Sequence, residues 1–323
     1  MKVAVVGAGA VGSVVSYLLS SGGAEVFLYD DRKERVAEIQ AKGVRLRGDM
    51  VGEVFPKARL PGEFTEPFDL IALACAAGPP AESLRPLSPY VHRETAYLSV
   101  QEGSAVDELR ELVGDSRAGG ALPWISAVES DGGEIEVEEF RSLVVGGVLP
   151  PSNAVFSELV EMADAVLPGK ALLVGDLERE KWLRLRSAAA VSGLCAVLGG
   201  APEEIRVEEE VDVLCREAAG ECERLASSAG FELKALDSPR EDAVWRWIKP
   251  PLLRDLEAAR KTEAYRLSGY LEGLARERGG SAPVHSALFS LIKEMETGRR
   301  RPGPDNIAEL RRRIGEEKGM RLQ

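Results

Sequence analysis

The sequence predicts an α/β fold, in which a doubly wound parallel sheet is followed by an all-helical domain. Residues 2–6 form an unbroken apolar run, which is typical of a parallel strand buried on both faces. The next segment carries one helical stripe, with side chains spaced i, i+3, i+4, i+7 and i+8, at Val11, Val14, Val15, Leu18 and Leu19. Strands and helices then alternate, which favours a parallel sheet. From Asp176 onward the pattern is almost entirely helical.

Each further element follows from a local pattern. Apolar runs predict strands at 25–29, 70–75 and 96–100, with short strands at 134–137, 142–145 and 171–174. The helix predicted over 32–42 ends at Gly43, a suitable C-terminal cap, and Ser104 can cap the helix that follows it. Further helices are predicted at 154–167, 176–198, 203–229, 240–248, 251–277 and 284–297.

A change in pattern divides the chain near Gly169, where a Pro-Gly pair separates the mixed segment from the helical one. The sequence therefore predicts a dinucleotide-binding domain over 1–169, a helical substrate or dimerisation domain over 170–298 and a charged tail over 299–323. The tail carries eight basic and four acidic residues. We expect it to form a solvated helix packed on the acidic body, rather than an arm that binds a partner.

Composition narrows the possible partners and the compartment. The 323 residues carry 41 Lys and Arg against 53 Asp and Glu, a net charge of −12, so nucleic acid and anionic membranes are disfavoured partners. The four cysteines show no C-x-x-C spacing, and the chain begins with a strand-like segment and no leader, so we expect a cytoplasmic protein. His92 and His285 do not group with other metal-ligating residues, so we expect surface roles for them and no metal site.

The strongest local motif is a glycine-rich turn between the first strand and the first helix. It reads G-x-G-x-x-G, over Gly7, Ala8, Gly9, Ala10, Val11 and Gly12. In this context the glycines allow a tight turn, close approach of the backbone to a pyrophosphate and close packing of helix on strand. The N-terminus of the helix offers free N–H groups to the phosphates. The motif predicts a Rossmann-type site for NAD or NADP.

The choice between the two cofactors depends on Asp30, Asp31 and Arg32 at the end of the second strand. A carboxylate here accepts hydrogen bonds from the adenosine ribose and repels a 2′-phosphate, which favours NAD. Arg32 could instead pair with that phosphate. The two acidic residues lead us to expect NAD, with NADP as the alternative.

Motifs spread along the chain support a family resemblance. Besides the glycine turn, these are Val100-Gln101-Glu102-Gly103 after a strand, EKWLRL from Glu180 leading into SAAAVSGL from Ser187, LLRDL from Leu252, and Lys261-Thr262-Glu263. Together they resemble the ketopantoate reductase (2-dehydropantoate 2-reductase) family over roughly residues 1–297. The resemblance implies a Rossmann-type domain, a helical domain like the C-terminal one of 6-phosphogluconate dehydrogenase, and an active site in the cleft between them.

The resemblance also implies site residues, several of which differ from the family pattern. A family lysine and two asparagines, the lysine being the general acid, correspond to Arg184, Ala188 and Ser192. Glu102 replaces a family asparagine at the cofactor and substrate site, and Glu263 matches the family outright. Ala127 is assigned to cofactor binding, a cofactor-binding lysine corresponds to Ala76, and a substrate-binding serine corresponds to Pro250 or Pro251.

The substituted residues leave distinct chemical possibilities. Arginine cannot donate a proton near neutral pH, but Arg184 could polarise a carbonyl or clamp a carboxylate, and Lys181 could be recruited as an acid. Glu102 would repel an anionic 2-keto acid unless Arg184 pairs with it. We assign Arg184 and Glu263 as catalytic residues, and Glu102, Ala188 and Ser192 to the substrate.

Two classes of function remain open at this point. The first is a nicotinamide-dependent reductase in the cytoplasm, monomeric or homodimeric. Its default acceptor is 2-dehydropantoate, reduced to (R)-pantoate for coenzyme A biosynthesis, and another carbonyl or an imine is the alternative. The second is a non-catalytic dinucleotide sensor or partner protein, favoured if an Arg184–Glu102 pair plugs the pocket.

Overall fold

The computed structural model describes residues 1–63, 66–75, 78–147, 154–205, 209–233 and 247–319. The strands are β1 (Lys2–Val6), β2 (Glu25–Tyr29), β3 (Val44–Gly48), β4 (Gly52–Val54), β5 (Lys57–Arg59), β6 (Phe68–Leu73), β7 (Val91–Ser99), β8 (Ala118–Glu129), β9 (Ile135–Gly147) and β10 (Ala171–Leu173). The helices are α1 (Ala10–Ser21), α2 (Lys33–Lys42), α3 (Pro80–Leu84), α4 (Ala105–Val113), α5 (Ala154–Val166), α6 (Leu177–Leu198), α7 (Glu209–Ser228), α8 (Pro251–Glu257), α9 (Ser268–Glu277), α10 (Pro283–Glu296) and α11 (Asn306–Gly319). No helix in these ranges is both long enough and apolar enough to cross a membrane.

The strands form one mixed sheet, and the strands next to the glycine turn are parallel. Its spatial order is β4-β3-β9-β8-β7-β6-β1-β2-β5, and β10 pairs with β9. β1 lies between β2 and β6 and runs parallel to both. Val3 and Val5 enter one buried cluster, whereas Ala4 enters another, so β1 is covered on both faces. The predicted doubly wound sheet is confirmed.

Several predicted elements have different limits in the structure. The strands predicted at 134–137 and 142–145 are parts of β9, which pairs antiparallel with β8 along most of its length. Charged residues on the partly exposed face interrupt the apolar pattern of β9, which is why it appeared as two short strands. The strands β3, β4, β5 and β8 and the short helix α3 were not predicted. Most of the helix predicted at 240–248 lies outside the described residues.

The prediction of a single helix over 251–277 is wrong. It divides into α8 and α9, which are separated by a segment with a 3-10 turn at Ala264–Arg266. Ala259 adopts a φ of +52°, a left-handed conformation that ends α8 and that apolar periodicity does not reveal.

Contacts divide the chain into two units. The first comprises Met1–Gln101 and Ala105–Glu180, and the second comprises Glu102–Ser104 and the chain from Lys181 onward. The division therefore lies after Glu180, whereas the sequence predicted it near Gly169. The reason is that β10 pairs in parallel with β9 and keeps this part of the chain in the sheet.

The basic C-terminal segment belongs to the helical unit rather than forming a separate tail. Leu310 and Ile314 of α11 are buried. Arg313 Nη2 lies 2.7 Å from Glu294 Oε1, and Lys318 Nζ lies 3.2 Å from Glu217 Oε2. Apolar contact and complementary charge both hold this helix on the acidic surface.

A buried polar cluster joins α7 to the start of α10. Glu221 accepts hydrogen bonds from the backbone N–H groups of Val284 and His285, at 2.9 and 3.1 Å. His285 is fully buried, with Nε2 2.9 Å from Ala218 O and Nδ1 3.2 Å from Ser268 Oγ. The expectation of a surface role for His285 is therefore wrong. Burial lowers the pKa of His285 to about 4, so the ring is neutral at physiological pH.

Glu221 makes the stability of this unit depend on pH. Burial raises its pKa to about 7, although the two backbone N–H donors, Arg224 and Lys318 lower it. The native state then binds more protons than the unfolded state at pH values between the unfolded and folded pKa. Its contribution to stability is fully present below the unfolded pKa and is lost as the pH rises through about 7. Relative to Glu221→Gln, we expect the wild type to lose up to about 3 kcal/mol between pH 5 and pH 8.

Urea unfolding at a series of pH values measures this difference. Glu217→Gln is the matched control, because Glu217 lies one turn earlier on α7 and its side chain is 42% exposed. The control should keep the wild-type slope. Parallel stability curves for wild type and Glu221→Gln would contradict the assignment.

Candidate active site

The glycine turn closes tightly between β1 and α1. Gly7 has a φ of +105°, and its N–H donates to Tyr29 O at 2.7 Å. A Cβ atom on Gly12 would overlap the carbonyl oxygen of Gly7. A Cβ on Gly9 would meet nothing within 4 Å. Gly12 therefore permits close packing of the helix on the strand, whereas Gly9 leaves open space above the turn.

This open space fits a dinucleotide pyrophosphate. Gly9 is the N-cap of the twelve-residue α1 and makes no side-chain capping hydrogen bond, and Ser13 N donates to Gly9 O at 2.9 Å. Ala10 and Val11 begin the helix, where backbone N–H groups and the helix dipole favour an anion. Ala8 N–H is already used, since it donates to Asp30 Oδ2 at 2.8 Å.

Asp30 lies at the end of β2 and is held by several donors. Besides Ala8 N, it accepts hydrogen bonds from Arg32 N at 3.0 Å, Arg32 Nε at 2.8 Å and Arg32 Nη2 at 3.1 Å. Burial acts to raise the pKa of Asp30, but the bonds from Arg32 and Ala8 outweigh it and hold the pKa below its ordinary value. Asp30 is therefore ionised, and its carboxylate orders both the turn and Arg32.

A second carboxylate contacts Arg32 from the sheet. Arg32 Nη1 lies 3.2 Å from Glu129 Oε2, and the neighbouring Asp31 is exposed. The guanidinium charge is thus already balanced by Asp30 and Glu129.

Ala127, which was assigned to cofactor binding, lies on β8 two residues before Glu129. It is buried and pairs with Val137 on β9. The pairing of β8 with β7 ends earlier along β8, before Ala127.

The second group of predicted residues meets within the helical unit. Arg184 on α6 forms an ion pair with Glu102, in which Nη2 donates to Oε1. The Arg184 side chain is 3% exposed and that of Glu102 is 18% exposed. Glu102 belongs to the three-residue segment that clusters with the helices. The coupling predicted from the two substitutions is therefore present.

The segment that carries Glu102 is fixed by close backbone contact. Gly103 has a φ of +67°, and a Cβ on it would overlap the carbonyl oxygen of Arg266. Ser104 N donates to the same oxygen at 3.3 Å. Arg266 is fully buried and was not predicted as part of the site. The glycine after Glu102 was a signal for this close approach, although it did not identify the partner.

The remaining predicted residues lie in the same helical unit. Ala188 and Ser192 follow Arg184 at one-turn intervals on α6, and both are buried. Glu263 is half-buried and precedes the 3-10 turn, where its carbonyl oxygen accepts a hydrogen bond from Arg266 N at 2.8 Å. Within the described ranges, no group of three or more His, Cys, Asp or Glu is arranged to hold a metal ion.

Sequence comparison assigns both units to one family. The profile described as "Ketopantoate reductase PanE/ApbA" matches residues 3–149, and "Ketopantoate reductase PanE/ApbA C terminal" matches residues 176–296. The chain belongs to the ketopantoate reductase family. A 2-dehydropantoate 2-reductase from Pyrococcus abyssi is 25% identical over 92% of this chain and 98% of its own length.

Two solved structures share the fold of this chain. D-mandelate dehydrogenase, in a ternary structure with NADH and anilino(oxo)acetate, matches with a TM-score of 0.82 at 20% identity, covering 92% of this chain and 99% of that one. The 2-dehydropantoate 2-reductase from Geobacter metallireducens matches with a TM-score of 0.80 at 23% identity, covering 91% and 99%. Ketopantoate reductases are NAD(P)-dependent 2-keto acid reductases, so this chain is an oxidoreductase acting on a CH–OH/C=O pair.

The open space at Gly9 predicts that one substitution weakens cofactor binding without changing the stability of the fold. Gly9 has a φ of −71°, so Gly9→Ala fits the backbone without strain, and its methyl group meets no protein atom. The methyl group occupies the space that a pyrophosphate needs. We expect the thermal midpoint to stay within about 2 °C of wild type while the dissociation constant for NADH rises at least about tenfold.

Scanning calorimetry and titration calorimetry measure the two quantities. Gly23→Ala is a control for glycine replacement in open space away from the turn, although its φ of +97° adds strain. It should lower the thermal midpoint without changing NADH affinity. Unchanged NADH affinity in Gly9→Ala would exclude this turn as the pyrophosphate site.

Proposed function

We propose that this family member reduces a small 2-keto acid, with 2-dehydropantoate as the default acceptor and (R)-pantoate as the product. The observation that carries the proposal is the ion pair between Arg184 and Glu102. It removes the repulsion that an unpaired Glu102 would exert on an anionic acceptor. The names of the relatives support the same substrate class.

Arg184 is the proposed electrophilic residue. Its guanidinium is buried, and arginine stays charged at any physiological pH. A guanidinium has five N–H donors, which can serve both a carboxylate and the oxygen of a substrate carbonyl. Bound reduced nicotinamide supplies the hydride. Arg184 would polarise the acceptor carbonyl and stabilise the alkoxide, which then takes its proton from water.

Other residues have supporting roles in this proposal. Glu263 would hold the substrate hydroxyl or the nicotinamide end of the cofactor. Ala188 and Ser192 would line the acceptor site beside Arg184, where small side chains leave room for the acyl chain. Glu102 and Ala127 would border the nicotinamide. These roles transfer family positions to residues that the structure places on α6, on β8 and beside the 3-10 turn.

An assay of NADH oxidation tests the proposed function. Wild type should turn over 2-dehydropantoate, and Arg184→Gln should lower kcat/KM by about 100-fold or more, as expected for loss of an oxyanion-stabilising group. Arg186→Gln is the matched control, because Arg186 is also a buried arginine of α6 and pairs with Glu223 at 3.1 Å. It should keep wild-type kcat/KM. Calorimetry establishes that each variant is folded.

Two results would replace the default assignment. Turnover of phenylglyoxylate without turnover of 2-dehydropantoate would indicate an aryl 2-keto acid, the class suggested by the mandelate dehydrogenase neighbour. Tight NADH binding with no turnover of any 2-keto acid or imine would indicate a dinucleotide-binding protein. The Arg184–Glu102 pair is also what such a protein would show if the pair blocks the acceptor site.

NAD is the proposed cofactor. Asp30 is ionised at the end of β2, where an adenosine ribose is bound in this fold. Arg32, the cation nearest to it, is already paired with Asp30 and Glu129, which leaves no net positive charge for a 2′-phosphate. The charge at this position therefore favours the two ribose hydroxyls of NAD.

Cofactor competition tests this preference. Wild type should bind NADH at least about tenfold more tightly than NADPH. In Asp30→Asn combined with Glu129→Gln, Arg32 loses both carboxylate partners and the preference should shift towards NADPH. Asp31→Asn removes an exposed carboxylate but leaves the Arg32 pairs intact, so it should change the ratio least. Tighter binding of NADPH than NADH by wild type would contradict the assignment.

A further inference from the structure

Gln101 lies two residues after the end of β7 and is buried. Val100, directly after β7, donates its N–H to Leu73 O at the end of β6, at 2.8 Å. Gln101 follows directly, and its residue is 4% exposed. A long amide side chain is seldom buried to this extent unless both of its polar atoms have partners.

The nitrogen of the Gln101 side-chain amide has a hydrogen-bond partner within the protein. Nε2 donates to Cys75 O at 2.6 Å and lies 3.7 Å from Cys75 Sγ. Since a backbone carbonyl can only accept, the amide nitrogen must face Cys75, and this fixes the orientation of the amide. The other end, Oε1, is buried and has no hydrogen-bond partner among the described residues. A buried acceptor without a donor destabilises the fold by about 1–3 kcal/mol.

The Gln101 amide is connected to the glycine turn through Cys75. The N and Cα atoms of Cys75 are 2.7 and 2.8 Å from where a Cβ on Gly7 would be, so the residue that Gln101 holds packs against the first glycine. β1 has β2 on one side and β6 and β7 on the other. In such a sheet the dinucleotide crosses the carboxyl ends of the strands where their order reverses. Asp30 marks the adenosine side, so Gln101 lies on the nicotinamide side.

We propose that Gln101 Oε1 accepts a hydrogen bond from the carboxamide N–H of the nicotinamide. Gln101 would thus be a cofactor-binding residue that orients the ring, and the cofactor would satisfy the buried acceptor. The inference rests on nicotinamide cofactor binding and is independent of the keto acid and of the choice between NAD and NADP. Gln101 has no family-derived role in the site described above.

An analogue of the cofactor tests the bond from the ligand side. Reduced 3-acetylpyridine adenine dinucleotide carries a methyl group where the carboxamide has its NH₂ group, so it cannot donate to Oε1. We expect wild type to bind NADH about tenfold more tightly than the analogue, and Gln101→Met to bind the two equally. Titration calorimetry without a substrate measures both affinities. Affinity for ADP, which lacks the nicotinamide, should be the same in wild type and variant.

Gln40→Met is the matched control. Gln40 is an exposed glutamine of the same unit, and its Nε2 also donates to a backbone carbonyl oxygen, that of Ala58, at 3.0 Å. This variant should keep the wild-type preference for NADH over the analogue. If Gln101→Met does not fold, Gln101→Leu provides the second test of Gln101 as the acceptor.

Three outcomes would overturn the proposal. Equal affinity of wild type for NADH and the analogue excludes the carboxamide as donor. An unchanged preference in Gln101→Met or Gln101→Leu excludes Gln101 as acceptor, and equal weakening of both dinucleotides would assign Gln101 to the ribose instead. Failure of wild type to bind any dinucleotide would overturn cofactor binding as well, whereas the keto acid assignment is tested separately by turnover.

Discussion

The predicted dinucleotide site depends on one constraint, the close packing of the N-terminus of α1 against the turn that follows β1. Gly12 can pack against Gly7 O only because it has no Cβ, and Gly7 can turn only because it adopts a positive φ. This packing directs the N-terminus of α1 to the carboxyl edge of the sheet. It also places Ala8 N within hydrogen-bonding distance of Asp30, so the turn and the residue at the end of β2 form one structure.

In the helical unit, the corresponding constraint is the buried ion pair between Arg184 and Glu102. Leaving either charge unpaired in a buried site is strongly unfavourable, so a change at one position constrains the other. Gly103 brings the segment close to the Arg266 backbone and so allows Glu102 to reach α6. A fixed positive charge at Arg184, offset by a neighbouring carboxylate, distinguishes this chain from the lysine and asparagine pattern that the family resemblance implied.

The sequence predicted the parts of the fold that depend on local patterns. β1, α1 and β2 were predictable because an apolar run, a helical stripe and a glycine turn occur in immediate succession. The break between α8 and α9 was not, because it depends on a left-handed alanine. The burial of His285 was not predictable either, because its partners Ala218 and Ser268 lie on other helices.

The candidate site divides in the same way. The glycine turn and Asp30 follow from spacing, and the pairing of Arg184 with Glu102 follows from opposite charges at two substituted positions. The roles of Arg266 and Gln101 depend on contacts between distant segments, which no spacing in the sequence encodes. A polar residue directly after a buried parallel strand was the available signal for Gln101.

The central claim is that Arg184 acts as a fixed positive charge and not as a proton donor. The pH dependence of kcat, measured from pH 6 to 10 with NADH and the keto acid both saturating, tests this claim most directly. Because arginine keeps its proton throughout this range, we predict no alkaline decrease in kcat below about pH 10. A decrease with an apparent pKa between about 7 and 10 would contradict the claim and would indicate a titrating acid such as Lys181.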